Sequence, residues 1–403
     1  MRTVLFVGAG RHQRRAIEQA RQRGLRVVAV DRNPRAPGLL AADAGEVVDF
    51  TDVPAVTEVA RAHRVDGVLT VSADRAVPVV AAVAEALGLP GIGRETARRM
   101  THKLAMRDAL ARAGLPQPRY AGLRSPADVG AALDTVRLPA VLKPADSGGQ
   151  RAVFRIESHE DLHRSLPEAL AESPTGEALI EEFVDGLELN GIVVTRAGEP
   201  ALVTLSDRLR PPGVGFGVGW IHVFPPSPNG RALARAEEAA VESVRALGLR
   251  EGIAFPQLIV RPEGDVAVVE VAARIPGGQM VDLVRYAVGV DLVEIALRQA
   301  LGEEVPDALA LPRFQQPLAI RFLTAEPGPL PAGRVRRIGS LEPVLAAEGV
   351  VQAETYLEIG ETIRPVRRDG DRRGYVIAVA DSAEDALRRA ESAARLLTVE
   401  VER

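Results

Sequence analysis

The strongest constraint on this fold lies at the start of the chain. Residues 3–8 (TVLFVG) form an apolar, β-rich run that closes on a glycine turn, Gly8-Ala9-Gly10. Residues 13–23 then have helical spacing and stop at Gly24, and RVVAVD follows as a second strand ending at Asp31. A helix over 54–63, the strand DGVLTVS and a helix over 76–87 that stops at Gly88 continue the alternation. Strands that alternate with helices must pair in parallel through right-handed crossovers. Residues 1–95 are therefore expected to form a small, doubly wound Rossmann-like domain.

The turn itself is ambiguous. A strand, a glycine turn, a helix and an acid about 20 residues on make the dinucleotide pattern, but Gln13 stands where its third glycine belongs. The same residues also suit a tight strand-to-helix turn, or a helix N-terminus holding an anion such as a carboxylate. A nicotinamide-dependent oxidoreductase is one reading, and Gln13 argues against it.

Domains run to roughly 100–200 residues, so 403 residues ask for two or three. Residues 96–305 read as α+β with a central antiparallel sheet. Their expected helices lie at 96–113, 158–170, 231–247 and 282–301, with strands at 139–143, 151–156, 178–184, 188–196, 200–208, 253–261 and 265–271. A glycine-rich loop spans 211–219. From 311 to 403 the strands shorten (LAIRFLT, VVQAETYL, GYVIAVA) ahead of a helix over 382–397, which reads as a third, small α+β unit. Cysteine is absent, which removes disulfides, thiolate metal sites and a cysteine nucleophile. The net charge of −4 comes without a basic stripe or interleaved aromatics, so a nucleic-acid partner is not expected. No apolar run reaches the roughly 18 residues of a membrane span, and the apolar start runs into a glycine turn rather than a cleavage site. A cytoplasmic protein is the expectation.

Four clusters carry chemistry. Lys143 ends an apolar strand, and Asp146-Ser147-Gly148-Gly149 follows it. Such a loop is either a hairpin turn or a cradle for phosphate oxygens, with lysine as the point charge. In the run Glu181-Glu182-Phe183-Val184-Asp185-Gly186-Leu187-Glu188, a strand meets acids and a turn. It reads as solvated acids or as a hinge that holds adenine and ribose. Gln257 and Glu270 flank the turn Pro262-Glu263-Gly264 on successive strands. Oxygen ligands on rigid strands suit Mg²⁺, and an unpaired acid inside VAVVEVAA would be costly. Arg274, four residues on, would lie beside a transferring phosphate. Ser206, Asp207, Arg208, Arg210, Trp220, His222, Gly277 and Gly278 are substrate candidates, with an arginine for a carboxylate and Asp207 for an ammonium.

Taken together, these pieces resemble the ATP-grasp superfamily along the whole chain. The resemblance is carried by the Lys103-x-x-x-Arg107 helix ending AGLP, the VLKP strand with its glycine loop, EEFVDGLE, and the strands ending EVAAR. RFLTAEPG and GYVIAVA look like the terminal domain of bacterial L-amino-acid ligases, and glutamine at the first metal position is similar to the carbamoyl-phosphate synthetase large chain. The resemblance implies an ATP-grasp domain over 96–305 with a lid subdomain at about 118–185. Lys103 and Lys143 would hold the ATP phosphates under a lid formed by Ser147, Gly148 and Gly149. Glu181, Glu182 and Val184 would line the adenine pocket, and Glu188 would bind ribose. Gln257 and Glu270 would bind Mg²⁺, with Mn²⁺ as a substitute, and Arg274 and Lys143 would be catalytic. The implied activity is an ADP-forming carboxylate–amine ligation through an acyl phosphate, on amino acids, by a homodimer. A carboxylase and a nucleotide-binding protein without turnover are the rivals. One departure stands out: the family often has Asn two residues after the second metal acid, where this chain has Ala272.

Overall fold

A computed structural model describes residues 1–214 and 217–402 of the chain. Thr3–Val7, Arg26–Asp31, Ala44–Val47 and Gly67–Leu69 pair in parallel, with Thr3–Val7 between the second and fourth strands. Every residue of Thr3–Val7 is buried, as a strand covered on both faces by crossover helices requires. The two features of the dinucleotide pattern are both taken up internally. Asp31 accepts a 2.9 Å hydrogen bond from the Ala9 amide, and the buried Gln13 side chain donates to the Val71 carbonyl across the turn.

A second, antiparallel sheet has the order Tyr120–Leu123, Ala178–Glu182, Ala140–Pro144, Phe154–Ile156. Helices Val129–Thr135 and His159–Glu172 close its own core around Leu123, Leu142, Leu162 and Ile180.

The third sheet has eight strands: Val266–Ala272, Gly252–Val260, Leu187–Arg196, Glu199–Leu209, Ile221–Phe224, Leu318–Phe322, Gly374–Val379 and Val350–Thr355. Helix Gly230–Leu247 covers one face through Leu189, Leu258 and Val268. Three strands of the segment after 311 extend this sheet. The cause lies in Leu318–Phe322, which is buried at every position and therefore needs a partner on each edge. It finds Ile221–Phe224 on one side and Gly374–Val379 on the other. Gly333–Ile338, Thr362–Ile363 and Val399–Glu402 make a small separate sheet.

Two expected helices are each broken in two. The first divides into Arg94–Arg99 and Lys103–Arg112, where the His102 ring caps the Ala105 amide. The second divides into Met280–Val288, closed by Gly289 at φ +77°, and Leu292–Ala300, capped by Asp291. None of the described helices is long and apolar enough to cross a membrane.

Candidate active site

The three sheets meet around a cavity of about 480 Å³. Its floor is the face of the central sheet turned away from helix Gly230–Leu247. Antiparallel register places Glu270 opposite Gln257, and Gln257 opposite Asn190, so three neighbouring strands present these side chains in one row. Ala272, buried and one step along the same face, presents only a methyl group.

The opposite wall comes from the second sheet and its loop. Lys143 leaves the end of its strand and pairs with Glu181 on the neighbouring strand. Arg107, fully buried, reaches the other oxygen of Glu181 at 2.8 Å and donates to the carbonyls of Val268 and Val269 at 2.9 and 2.6 Å. Burial would raise the Glu181 carboxyl, but Lys143 and Arg107 outweigh it and hold the group at about 2. Glu181 is therefore a fixed anion that ties the second sheet to the central one, and its side chain is engaged rather than free to face a base.

The break before Lys103 positions that residue. Its backbone amide donates to Ala145 at 2.6 Å and its ammonium to the Ser147 carbonyl at 2.7 Å, at the base of the glycine loop. Asp146 anchors the same loop by accepting from Ser173 and Thr175. Gly149, Gln150 and Ala152 all have positive φ, so the loop is tightly curled. Gly217, at φ +104°, leaves room for the Gln150 carboxamide, and this brings the glycine loop against the 211–219 segment. Gly215 and Phe216 of that segment lie outside the described residues.

Arg274 projects from the end of the Val266–Ala272 strand and meets a residue that belongs to no motif of the chain. Its Nε lies 2.6 Å from Asp74 in the first domain. Burial would raise the Asp74 carboxyl, but Arg274 and then Lys103 pull it below the ordinary range. Glu188 is held by Arg208 and by Arg210 at 3.3 Å. Beyond them stand His222, Gly277, Gly278, His12, Asp369 and Arg372, the last two from the C-terminal segment. Burial, then Arg208 and Arg372, push the His222 ring well below its ordinary value, so it is neutral at physiological pH.

Of the residues anticipated from sequence, Lys103, Lys143, Ser147, Gly148, Gly149, Glu181, Glu182, Val184, Glu188, Arg208, Arg210, His222, Gln257, Glu270, Arg274, Gly277 and Gly278 all line the cavity. Three substrate candidates do not: Ser206 is fully buried with its hydroxyl against the Asn190 carbonyl, and Asp207 and Trp220 lie elsewhere. Asp207 pairs with Leu189 and so faces helix Gly230–Leu247, where its carboxylate accepts from the Ser227 amide at 3.0 Å. Trp220 lies under Arg321 at 4.1 Å and donates to Thr324, on the far side of the sheet. Asp74, Asn190, Asp369, Arg372 and His12 were not anticipated.

Around the cavity, Lys103, Lys143, Arg208, Arg210, Arg274 and Arg372 face Asp74, Glu181, Glu182, Glu188, Glu270 and Asp369. The charges balance, so a polyphosphate would bring uncompensated negative charge unless a divalent cation came with it. Among the described residues no three His, Cys, Asp or Glu side chains gather in metal-binding geometry. One carboxylate and one amide oxygen side by side nevertheless fit Mg²⁺, which keeps waters and takes phosphate oxygens for the rest. Such chemistry supplies charge neutralisation on phosphate.

Residues 102–308 match the carbamoyl-phosphate synthase L chain, ATP binding domain; residues 17–91 match the ATP-grasp N-terminal domain, and 321–402 the L-amino acid ligase C-terminal domain 2. The chain is 30% identical over 317 residues to the formate-dependent phosphoribosylglycinamide formyltransferase of Burkholderia thailandensis, covering 77% of each. Its fold is similar to the L-amino acid ligase from Bacillus licheniformis, with TM-score 0.84 at 21% identity over 100% of this chain and 99% of that one. It is also similar to the biotin carboxylase domain dimer of Hydrogenobacter thermophilus 2-oxoglutarate carboxylase in complex with MgADP and bicarbonate. There the TM-score is 0.78 at 18% identity, over 99% of this chain and 90% of that one.

Proposed function

This chain belongs to the ATP-grasp family of ATP-dependent ligases, and from that premise we propose that it joins the carboxylate of an amino acid to an amine, releasing ADP and phosphate. The observation that carries the proposal is the opposition of two walls. Gln257 and Glu270 lie paired on the floor with Arg274 beyond them, and Lys103, Lys143 and the glycine loop stand across the cavity. The ATP phosphates bridge these walls. The adenine lies along Glu182 to Val184, and the ribose hydroxyls reach Glu188, whose carboxylate has acceptor sites left beside its arginines. Gln257 and Glu270 would hold Mg²⁺, which would supply charge neutralisation on the phosphates.

A carboxylate oxygen attacks the γ-phosphorus, the bond to the ADP oxygen breaks, and an acyl phosphate forms. Arg274 and Lys143 offset the charge on the transferring group. The amine nitrogen then attacks the carbonyl carbon, phosphate leaves with the bonding pair, and the nitrogen loses a proton. The chain needs no nucleophile of its own. Its contribution is orientation, fixed cations and exclusion of water, which would hydrolyse an acyl phosphate. The glycine loop against the 211–219 segment supplies the cover. Arg208 and Arg372 lie where a substrate carboxylate would enter, and a homodimer is part of the proposal.

The match of residues 321–402 to an L-amino acid ligase domain supports amino acids. The formyltransferase relative favours a second reading, in which formate is the carboxylate. Phosphate release from Mg·ATP over a matrix of amino acids, formate and amines, with Glu270→Ala as control, tests both. Release that needs two amino acids and disappears in the variant supports the first reading. Release that needs formate supports the second. No release from any pair, with ATP still bound, overturns the ligase proposal.

A further inference from the structure

We propose that Asn190 is a further member of the metal site, accepting a hydrogen bond from a metal-bound water on the side away from Glu270. The inference rests on the proposed placement of Mg²⁺ at Gln257 and Glu270. Asn190 is 1% exposed, yet its side-chain oxygen Oδ1 has no hydrogen-bond partner. Its amide nitrogen lies 3.3 Å from Nδ1 of the buried His222, and both residues line the cavity. A buried carbonyl oxygen left without a donor keeps the full cost of its lost hydration. Such a group calls for a donor or a cation from whatever fills the cavity.

Register says which. Asn190 pairs with Gln257, and Gln257 pairs with Glu270, so the three side chains stand on adjacent strands and on one face. With strands about 4.8 Å apart, Asn190 is one step from Gln257 and roughly 10 Å from Glu270. That is too far to share direct coordination with Glu270, and it is within reach of a water on an ion held between Gln257 and Glu270. Mg²⁺ retains such waters.

The test is Mn²⁺ binding to the ATP-loaded protein, followed by electron paramagnetic resonance of free Mn²⁺. Partners that orient ligands around a metal are worth roughly 10–100-fold in affinity. Asn190→Ala should therefore weaken Mn²⁺ by about 10-fold or more, and Asn190→Asp, which keeps an oxygen in place, should restore it. Asn190→Ser, smaller and polar, should weaken it even if the alanine variant folds poorly. Unchanged Mn²⁺ affinity in Asn190→Ala and Asn190→Ser overturns the inference, and a raised KM for the amine in those variants would give the oxygen to a substrate N–H instead. Glu270→Ala, run alongside, separates the two levels. If it weakens Mn²⁺ while the Asn190 variants do not, only the role of Asn190 falls. If it too leaves Mn²⁺ unchanged, the metal site itself is misplaced.

Discussion

Replacing Glu181 with Gln removes the anion shared by Lys143 and Arg107 while keeping its shape. Holding this carboxyl at about 2 rather than its ordinary 4.5 corresponds, at about 1.4 kcal/mol per pH unit, to about 3 kcal/mol of folding free energy at neutral pH. Breaking one side of a buried ion pair costs a similar amount, about 3–5 kcal/mol, because the cations left behind are uncompensated. The sign follows from the direction of the shift. The carboxyl is depressed in the folded state, so its contribution is complete above pH 4.5 and is lost as pH falls from there through about 2. Urea unfolding of the two proteins, followed by the single tryptophan Trp220 and by circular dichroism, reads the difference. At pH 7 Glu181→Gln should lose about 3 kcal/mol or more, and by pH 3.5 the gap should have narrowed by about two-fifths. A loss below about 1 kcal/mol, or a gap constant between pH 7 and 3.5, would refute the argument that two cations hold Glu181 ionised.

Asp74→Asn should lower kcat by about 10-fold or more with a smaller change in the KM for ATP, because a misplaced Arg274 acts on the transition state rather than on nucleotide binding; an unchanged kcat in steady-state assays would detach Asp74 from Arg274's task. A methyl added at Gly148 would meet the Asp74 carboxylate at 3.0 Å and its Cβ at 3.1 Å. Gly148→Ala should therefore displace the glycine loop and raise the KM for ATP several-fold with little change in melting temperature, and an equal KM would show that the loop does not close over the phosphates.

What was legible in the sequence was mostly local. Gln257 and Glu270 pair across a short turn, so a hairpin read from Pro262-Glu263-Gly264 already put them opposite one another. Lys143 and the glycine loop are neighbours in the chain and stay so in space. Asp74, Arg372 and His12 were not legible because only the assembled topology brings a turn of the first domain and an ordinary-looking DGDRRG beside Arg274 and His222. Asp207 was misplaced for a subtler reason. In Glu199–Leu209 the register slips between Leu202 and Thr204, and a slip of one residue exchanges the two faces. Asp207 and Arg208 are consecutive in that strand and point to opposite faces, so the two could not both reach the cavity. The break before Lys103 was hidden because a histidine, rather than Ser, Thr, Asp or Asn, serves as the N-cap.

The continuation of the central sheet into Leu318–Phe322 and Gly374–Val379 bears on how such a protein can be re-engineered. Cutting the chain near 311 would strip Ile221–Phe224 of its neighbour and bare a row of backbone donors and acceptors next to His222, an invitation to pair with another molecule. The C-terminal segment is thus no exchangeable cassette. Altering what reaches Arg372 has to be done by side-chain replacement on an intact sheet, since a graft from a relative would have to rebuild the hydrogen-bonded seam before it could change selectivity.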